Sequence, residues 1–383
     1  MGGTRIALAR SVGDECATFV EVFMRRSLIV LALTAAASAS AAPSFAGPFT
    51  VTTLATSASD TGLINPWGLA SSGGSPFWLG VNGSKTSELY TGAGMKQALV
   101  VTIPGDGSVT GVVFNSNGAG GVAAGFNGDT FLFASEDGTF SGWRGALGTT
   151  AEILQSPDSA NVYKGLAQAM LGTNDYAYAA DFRGGTIDVL KGTVGAPDLA
   201  GNFTDPGLPS GYAPFNVQLL AGSLYVTYAV QDPTKHEDVP GVGNGIVSRF
   251  ALNGVFQQRV VTGGVLNSPW GLAIAPAGFG SLAGDLLVGN FGDGLIHAYD
   301  AFTGALLDTL TDASNNPIEI EGLWALRVGN GGNGGDPNKV YFTAGPDGEE
   351  GGQFGSISAV PEPATFVLLG SGLVAAMRRR RRA

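Results

Sequence analysis

Short apolar runs separated by Gly, Asp and Asn turns recur along most of the chain. A strand-like run with a glycine near its start is followed each time by a second apolar run that ends in a turn. The first run reads NPWGLA at residues 65–70 and returns as SPWGLA at residues 268–273. Asp-Gly and Asn-Gly turns predict β-hairpins, because Gly accepts the positive φ that they need. The pattern therefore predicts an all-β protein built from repeated units.

The run occurs six times, five times with its glycine and once in a variant form with Asn216, at spacings of 43 to 55 residues. The six copies are Gly68-Leu69, Gly111-Val112, Gly165-Leu166, Asn216-Val217, Gly271-Leu272 and Gly322-Leu323. Units of this size are typical of four-stranded propeller blades. We therefore predict a six-bladed β-propeller over residues 47–358. An open ring would expose sheet edges, so we expect the strand-like run at residues 49–54 to pair with the last blade.

The second apolar run supports the same six units. Its copies lie at residues 77–81, 130–134, 176–180, 224–228, 285–289 and 340–344. The fourth unit also carries a polar insertion, QDPTKHEDVPGVGNG, at residues 231–245. Insertions in repeat proteins map to loops, and loops often carry function. We expect this insertion to be a contact for a binding partner.

The first 46 residues have the character of a leader and signal peptide. Met24, Arg25 and Arg26 precede an uncharged, Ala-rich run at residues 27–42, and a small-residue exit lies at residues 44–46. This order predicts export and cleavage by signal peptidase before residue 47. The residues ahead of Met24 leave two alternatives, a true start at Met24 or a long leader.

The last 24 residues have three parts in a fixed order: a short acidic proline motif, an apolar run at residues 364–377 and an arginine cluster up to residue 382. The motif and the start of the cluster are Pro361, Glu362, Pro363, Arg378, Arg379 and Arg380. The run is marginal for a permanent span and suits transient membrane insertion, with the arginines on the cytoplasmic side. This segment resembles the PEP-CTERM sorting signal. The resemblance implies processing by an exosortase and release to the cell surface or extracellular polymer; the alternative is an ordinary membrane anchor.

The body resembles two families of repeat proteins. Pro-x-Gly-Leu-Ala opening a unit of about fifty residues is similar to the six-bladed propellers of the NHL and gluconolactonase-like type. Residues 65–70, 271–280, 284–294, 322–326 and 342–348 resemble an uncharacterised bacterial family, the TIGR03118 proteins. The second resemblance spans about residues 49–357 and implies no activity.

Charge and cysteine content narrow the possible functions. Residues 47–360 carry 11 Lys and Arg against 27 Asp and Glu, a net charge of −16, so a nucleic-acid partner is disfavoured. The single cysteine, Cys16, precedes the predicted cleavage point. The mature body is therefore expected to lack disulfides, thiolate metal sites and cysteine nucleophiles.

Catalytic chemistry has few candidates in this sequence. Only His236 and His297 are histidines, and we expect surface residues rather than a catalytic base because no Gly-x-Ser-x-Gly elbow accompanies them. Ca²⁺ is the cofactor that the residues leave open. Oxygen ligands occur in turns at residues 292–294 and 347–350, without a complete EF-hand. Asp293 and Asp347 are weak metal candidates, and a turn role is favoured.

The start of each inner propeller strand lies near the central channel, where ligands often bind. Asn65, Ser268 and Glu321 precede their glycine-centred runs and are our channel-face candidates. The gluconolactonase-like resemblance implies that an acidic residue there helps to hold a divalent metal, which adds Glu321 to the weak metal candidates. The tryptophans of these runs, Trp67, Trp270 and Trp324, are expected to pack between blades rather than to stack on a sugar.

Two functions are compatible with these features. The first is an exported, surface-sorted propeller with a binding or structural role, whose ligand is an extracellular polysaccharide or protein. The alternative is a metal-dependent lactonase or hydrolase that acts in the central channel. The scarcity of histidine and the absence of a catalytic motif favour the non-enzymatic reading.

Overall fold

Six antiparallel sheets surround a central axis in the computed structural model, which describes residues 47–118 and 125–360. The innermost strand of each sheet contacts the innermost strands of the sheets before and after it, and the last also contacts the first. The ring is therefore continuous, and the prediction of an all-β, six-bladed propeller is confirmed.

The 23 strands in the described residues are assigned to blades in chain order, from the axis outwards. Blades one to three contain β2 (Pro66–Ala70), β3 (Phe77–Val81), β4 (Thr86–Tyr90) and β5 (Lys96–Thr102); β6 (Val109–Phe114), β7 (Phe131–Ser135), β8 (Phe140–Trp143) and β9 (Glu152–Gln155); and β10 (Tyr163–Leu171), β11 (Asn174–Asp181) and β12 (Thr186–Lys191). Blades four to six contain β13 (Tyr212–Leu220), β14 (Ser223–Val230), β15 (Ile246–Phe250) and β16 (Phe256–Thr262); β17 (Pro269–Ile274), β18 (Leu286–Asn290), β19 (Ile296–Tyr299) and β20 (Leu306–Thr309); and β21 (Leu323–Val328), β22 (Val340–Ala344), β23 (Gln353–Ala359) and β1 (Phe49–Thr56).

The two ends of the described body meet in blade six. Strand β1 pairs antiparallel with β23, from Phe49 opposite Ala359 to Thr56 opposite Gln353, with one shift in register between Thr53 and Ala55. The closure predicted from the run at residues 49–54 is therefore confirmed. It covers the edge of blade six that would otherwise be open.

Blade three differs from the predicted four-stranded unit, because it has three strands within the described residues. The segment at residues 192–211, where an outer strand would lie, is rich in Gly and Pro. These residues disfavour a strand through backbone entropy and the missing N–H of proline. Phe203 from this segment is buried instead and packs against Tyr178 and Phe250, with ring centroids 5.5 Å from each.

The hydrophobic core lies mainly between neighbouring blades. Among residues 47–118 and 125–360 it forms six buried clusters, and one of them also extends across the axis. The glycines of the repeated run allow the inner strands to approach closely. A Cβ added at Gly68 would lie 2.7 Å from Thr110 O and from Val112 N, and one at Gly271 would lie 2.5 Å from Trp324 O. Any larger residue would force the blades apart.

Every inner strand contains a shift in register near its start, after the first paired residue in five blades and after the third, Pro214, in blade four. The residues at the bulge are Trp67, Thr110, Lys164, Phe215, Trp270 and Trp324. A bulge re-aims the side chain of the unpaired residue. The same irregularity in six blades therefore sets the residues that can reach the axis.

The predicted leader, signal peptide and PEP-CTERM segment at residues 1–46 and 361–383 lie outside the described residues. Within residues 47–118 and 125–360, no helix has the length and apolar character needed to span a membrane.

Candidate functional site

Tryptophans from three blades close the central channel near the start of the inner strands. Trp67 stacks on Trp324, with ring centroids 3.5 Å apart, and the edge of Trp270 meets both rings at 6.5 and 5.9 Å. Phe215 lies 6.0 Å from Trp324. Trp67 is in blade one and Trp270 in blade five, which are not neighbours, so their contact crosses the axis. Trp324 of blade six contacts the tryptophans of both neighbouring blades, as the predicted packing between blades requires, and the contact between Trp67 and Trp270 is the additional one across the axis.

A fully buried lysine lies directly above this aromatic closure. Lys164 occupies the bulge of β10, and its Nζ is 5.0 Å from the centroid of the Trp67 ring. The same ammonium donates to Glu136 and to Glu237, the latter at 3.1 Å. Burial alone would lower the pKa of Lys164, but the two carboxylates more than offset that effect and raise its pKa above the ordinary value. Lys164 is therefore a charged, internally neutralised group.

We define the channel mouth as Lys164, Glu136, Glu237, Asn65 and Glu349. Asn65 Oδ1 accepts the indole N–H of Trp324 at 3.0 Å, and its Nδ2 donates to Glu349 Oε2 at 2.6 Å. The pKa of Glu349 is raised, chiefly by burial, with Glu237 and Glu136 adding to the shift while Asn65 and Lys164 oppose it. The mouth is thus an acidic group of side chains organised around one ammonium.

The polar insertion in blade four forms part of this mouth. Residues 231–245 connect β14 to β15, and the loop is held by an isolated bridge between Gln231 and Asp238. Asp232 stabilises the loop further by accepting the backbone N–H of His236 at 2.8 Å. The result places Glu237 on Lys164. The insertion therefore folds back towards the axis, and only part of it faces outwards, including the exposed Val242.

The channel-face candidates differ in their placement. Asn65 is in the mouth, while Ser268 is fully buried near Asp238. Burial raises the pKa of Asp238, and Ser268 and Lys164 oppose that shift. Glu321 is exposed and accepts the backbone N–H of Asp347 at 3.0 Å. Asn65 and Ser268 share a positive φ of 45° and 47°, and in blade six this conformation belongs to Gly322, at 65°. The equivalent position is therefore Gly322, one residue after Glu321.

The remaining metal and histidine candidates have separate surroundings. Asp293 stabilises its own turn by accepting the backbone N–H of Leu295 at 3.1 Å. His297 is buried on β19, where its Nδ1 lies 2.9 Å from Thr309 Oγ1 and burial lowers its pKa. The expectation that His297 is a surface residue is therefore wrong. His297 is buried because β19 lies between β18 and β20 in blade five, where all four of its residues are buried.

One group of three potential metal ligands occurs in the part of the chain that the structure describes. Oxygens of Glu136 and Glu237 and a nitrogen of His236 lie within 4.8 Å of one another. The set does not fit Ca²⁺, which binds oxygen ligands rather than imidazole. Both carboxylates are also already bonded to Lys164. Asp293, Glu321 and Asp347 belong to no such group among these residues.

The key residues Lys164, Glu136 and Glu237 were not predicted. A signal for Lys164 exists in the repeat, since Lys164-Gly165-Leu166 aligns with Trp67-Gly68-Leu69 and places a charge where other blades have an aromatic ring. Its two partners follow different strands in blades two and four. No pattern along the sequence connects them.

The fold and its closed axis define the class of the molecule: a six-bladed β-propeller with an aromatic channel closure and an ion-paired central lysine. The chain belongs to the same family as "Uncharacterized protein R648" of Acanthamoeba polyphaga mimivirus, with which it is 33% identical over 313 residues, covering 78% of this chain and 76% of that protein. "Uncharacterized protein L690" of the same virus is 30% identical over 315 residues, covering 78% and 81%. Membership in the TIGR03118 family stays a prediction.

The comparisons also identify the C-terminal segment. Residues 359–382 match the model of the PEP-CTERM protein-sorting motif, which marks an exported protein that an exosortase sorts to the cell surface or extracellular space. Among solved structures, a glucose dehydrogenase aligns with a TM-score of 0.49 and 12% identity over 82% of this chain and 100% of that chain.

Proposed function

We propose that this protein is a surface-sorted propeller with a binding or structural role in the cell envelope or extracellular polymer. We further propose that the ion pairs of Lys164 with Glu136 and Glu237, which we call the lock, stabilise the ring and do not form a catalytic metal site. The observation that carries this proposal is the position of Lys164. Its ammonium occupies the point between Glu136 and Glu237 where a divalent cation would have to bind.

Displacing that ammonium would be costly. Lys164 is fully buried, so it cannot exchange its two carboxylates for water without a change in the surrounding packing. Breaking a buried ion pair by removing one partner typically costs about 3–5 kcal/mol. A cation would also have to replace the contact between Lys164 and the Trp67 ring. Both carboxylates are therefore already paired with an internal cation, which disfavours the metal-dependent lactonase or hydrolase.

The surface beside the lock supports a binding role. A cleft of about 650 Å³ is lined by Asp106, Ser108, Glu136, Asp137, Pro157, Ser159, Asn161, Arg183 and His236. Its wall is rich in carboxylate, hydroxyl and amide groups, which form hydrogen bonds with the hydroxyls of a polysaccharide. We propose this cleft as the surface that contacts an extracellular polysaccharide.

Metal analysis tests the lock. The protein purified after expression of the full chain is dialysed with and without Ca²⁺, analysed for bound metal, and melted in Ca²⁺ and in chelator. We expect no stoichiometric metal and the same melting temperature in both. Stoichiometric Ca²⁺, together with a calcium-dependent rise in melting temperature that Glu136→Gln abolishes, would overturn the proposal.

Co-sedimentation with insoluble extracellular polysaccharide tests the binding surface. The double variant Asp106→Asn, Asp137→Asn replaces two carboxylates of the cleft wall by neutral amides, which are weaker acceptors for sugar hydroxyls. It should therefore sediment less than the unmodified protein. The matched control is Asp198→Asn, a carboxylate 96% exposed in its pair with Lys191. Equal sedimentation of all three proteins would show that the cleft is not the contact surface.

A further inference from the structure

The half of the central channel beyond the tryptophans is hollow. A cavity of about 330 Å³ lies inside the ring, and all six inner strands contribute to its wall, with Trp270 among the lining residues. This volume falls within the range of small-molecule sites, about 300–1,000 Å³. The cavity is separate from the channel mouth, because the aromatic closure lies between them.

The wall of the cavity is mainly apolar, and among the described residues it carries a single charged group. Apolar side chains from several blades form most of it, including Leu69, Val112, Leu166 and Val217. Arg327, on β21 of blade six, is the one charged residue among those that line it. A single cation in a mainly apolar, partly enclosed space is an arrangement that selects an anion with an apolar body.

The guanidinium of Arg327 has no anionic partner in the described residues. Its Nε donates to Ser71 Oγ at 3.3 Å and its Nη2 to Ser71 O at 3.1 Å, and both acceptors are neutral. Its Nη1 makes no hydrogen bond within residues 47–118 and 125–360. Burial lowers the pKa of Arg327 to about 10, and no neighbouring carboxylate opposes that effect. The guanidinium remains protonated at neutral pH.

We propose that this cavity binds a small organic carboxylate, whose anionic group pairs with Arg327 and whose apolar body lies against the inner strands. The free N–H groups of Nη1 and Nη2 form the planar fork that carboxylates accept in a bidentate manner. This inference goes beyond the proposed function, because it assigns a ligand class to a part of the channel that the cleft does not include.

The other polar side chains of the wall, Ser116, Gln168, Asn216 and Gln218, are neutral, which favours a monoanion over a phosphate dianion. Gln168, on the opposite blade, donates to Asp175 Oδ1 at 2.5 Å and accepts the Ser116 hydroxyl at 3.2 Å. Both the amide nitrogen and the amide oxygen of Gln168 therefore already take part in a hydrogen bond. One guanidinium neutralises one negative charge, and a second charge would remain uncompensated in an apolar site.

Titration calorimetry with defined probes tests the proposal on the protein purified after expression of the full chain. The probes are benzoate and hexanoate, their neutral counterparts benzamide and hexanol, and inorganic phosphate. We expect at least one carboxylate to bind about tenfold or more tightly than its neutral counterpart, since a hydrogen bond to a charged group contributes about 1.5–3 kcal/mol. Phosphate should bind more weakly than that carboxylate.

Variants assign the site. Arg327→Gln should weaken carboxylate binding at least about tenfold, whereas Arg183→Gln, in the cleft at the channel mouth, should leave it unchanged. If Arg327→Gln does not fold, Leu219→Trp narrows the cavity without altering the guanidinium, because Leu219 lines it and is 40% exposed. Carboxylate binding should then also weaken. No binding of either carboxylate, equal binding of the neutral probes, or unchanged affinity in the Arg327 and Leu219 variants would overturn the proposal. None of these outcomes bears on the lock or the cleft.

Discussion

Replacing Lys164 by methionine would test whether the centre of the ring is a buried ion-paired lock. Met keeps an unbranched apolar side chain over Trp67 and removes the ammonium. Glu136 then stays where it is, with 14% of its side chain exposed and with Asn82 Nδ2 still donating to its Oε2 at 3.2 Å. Its charge loses the cation that neutralised it.

The expected cost follows from the exposure of the two partners. Removing one member of a buried ion pair costs about 3–5 kcal/mol, and Glu136 is the member that is left uncompensated. Glu237 is 58% exposed and can turn to water, so its share is at most about 1 kcal/mol. The lost cation–π contact is replaced in part by a contact between sulfur and the ring. We therefore expect Lys164→Met to lose about 3 kcal/mol of unfolding free energy.

Urea denaturation at pH 7, followed by tryptophan fluorescence, measures this loss. Glu136→Gln combined with Lys164→Met should recover most of it, because the double variant has no unpaired buried charge. Lys191→Met is the matched control, because Lys191 is 38% exposed and pairs with a carboxylate that is 96% exposed. It should change stability by less than about 0.5 kcal/mol.

A Lys164→Met variant within about 0.5 kcal/mol of the unmodified protein would refute the reasoning. So would a double variant whose loss equals the sum of the two single losses. Either result would mean that Glu136 and Lys164 are not coupled in the folded protein.

Two further predictions concern the inner strands and a buried acid. Gly68→Ala should destabilise the protein by about 1–3 kcal/mol, because its Cβ would lie 2.7 Å from the backbone of blade two; Gly73→Ala, which has open space around it, is the control in the same denaturation assay, and equal stability of the two would contradict the close-approach role. Burial raises the pKa of Asp175 to about 6, so the folded state binds more protons than the unfolded state from about pH 4 to 6 and stability falls as the pH rises through that window. Asp175→Asn should therefore raise the melting temperature at pH 7.5 and lose this advantage below about pH 4, while a gain that is independent of pH would refute the titration of Asp175 as its cause.

The repeat could be predicted from the sequence because its chemistry is local. Gly68 and Gly271 are required where neighbouring inner strands meet, and the hairpin turns use residues that accept positive φ. The missing strand of blade three escaped prediction because the spacing of the repeats stays regular while the segment at residues 192–211 fills that spacing with a loop. Spacing reports the length of a unit and not its number of strands.

The site could not be predicted to the same extent because it depends on closure of the ring. Lys164 meets Glu136 and Glu237 only after three blades take their places around the axis. The position ahead of the inner strand was also assigned one residue too early in blade six. Its run was aligned on Gly322, whereas the bulge aligns Trp324 with Trp67. Gly322 has the positive φ that Asn65 has in blade one, so the glycine on which the run was aligned has a different role there.

The pairing of β1 with β23 has a consequence for the order of events during export. Strand β1 has no partner until residues 353–359 are present on the same side of the membrane. The ring therefore cannot close until the end of the body has been exported. The backbone N–H of Val360 donates to Pro48 O at 2.7 Å, which brings the two boundaries of the propeller together on one edge of blade six. The matched sorting motif begins at residue 359, within the strand that completes the ring. The strand that completes the ring and the sorting motif therefore share residue 359, so no spacer separates the last blade from the segment that is recognised for sorting.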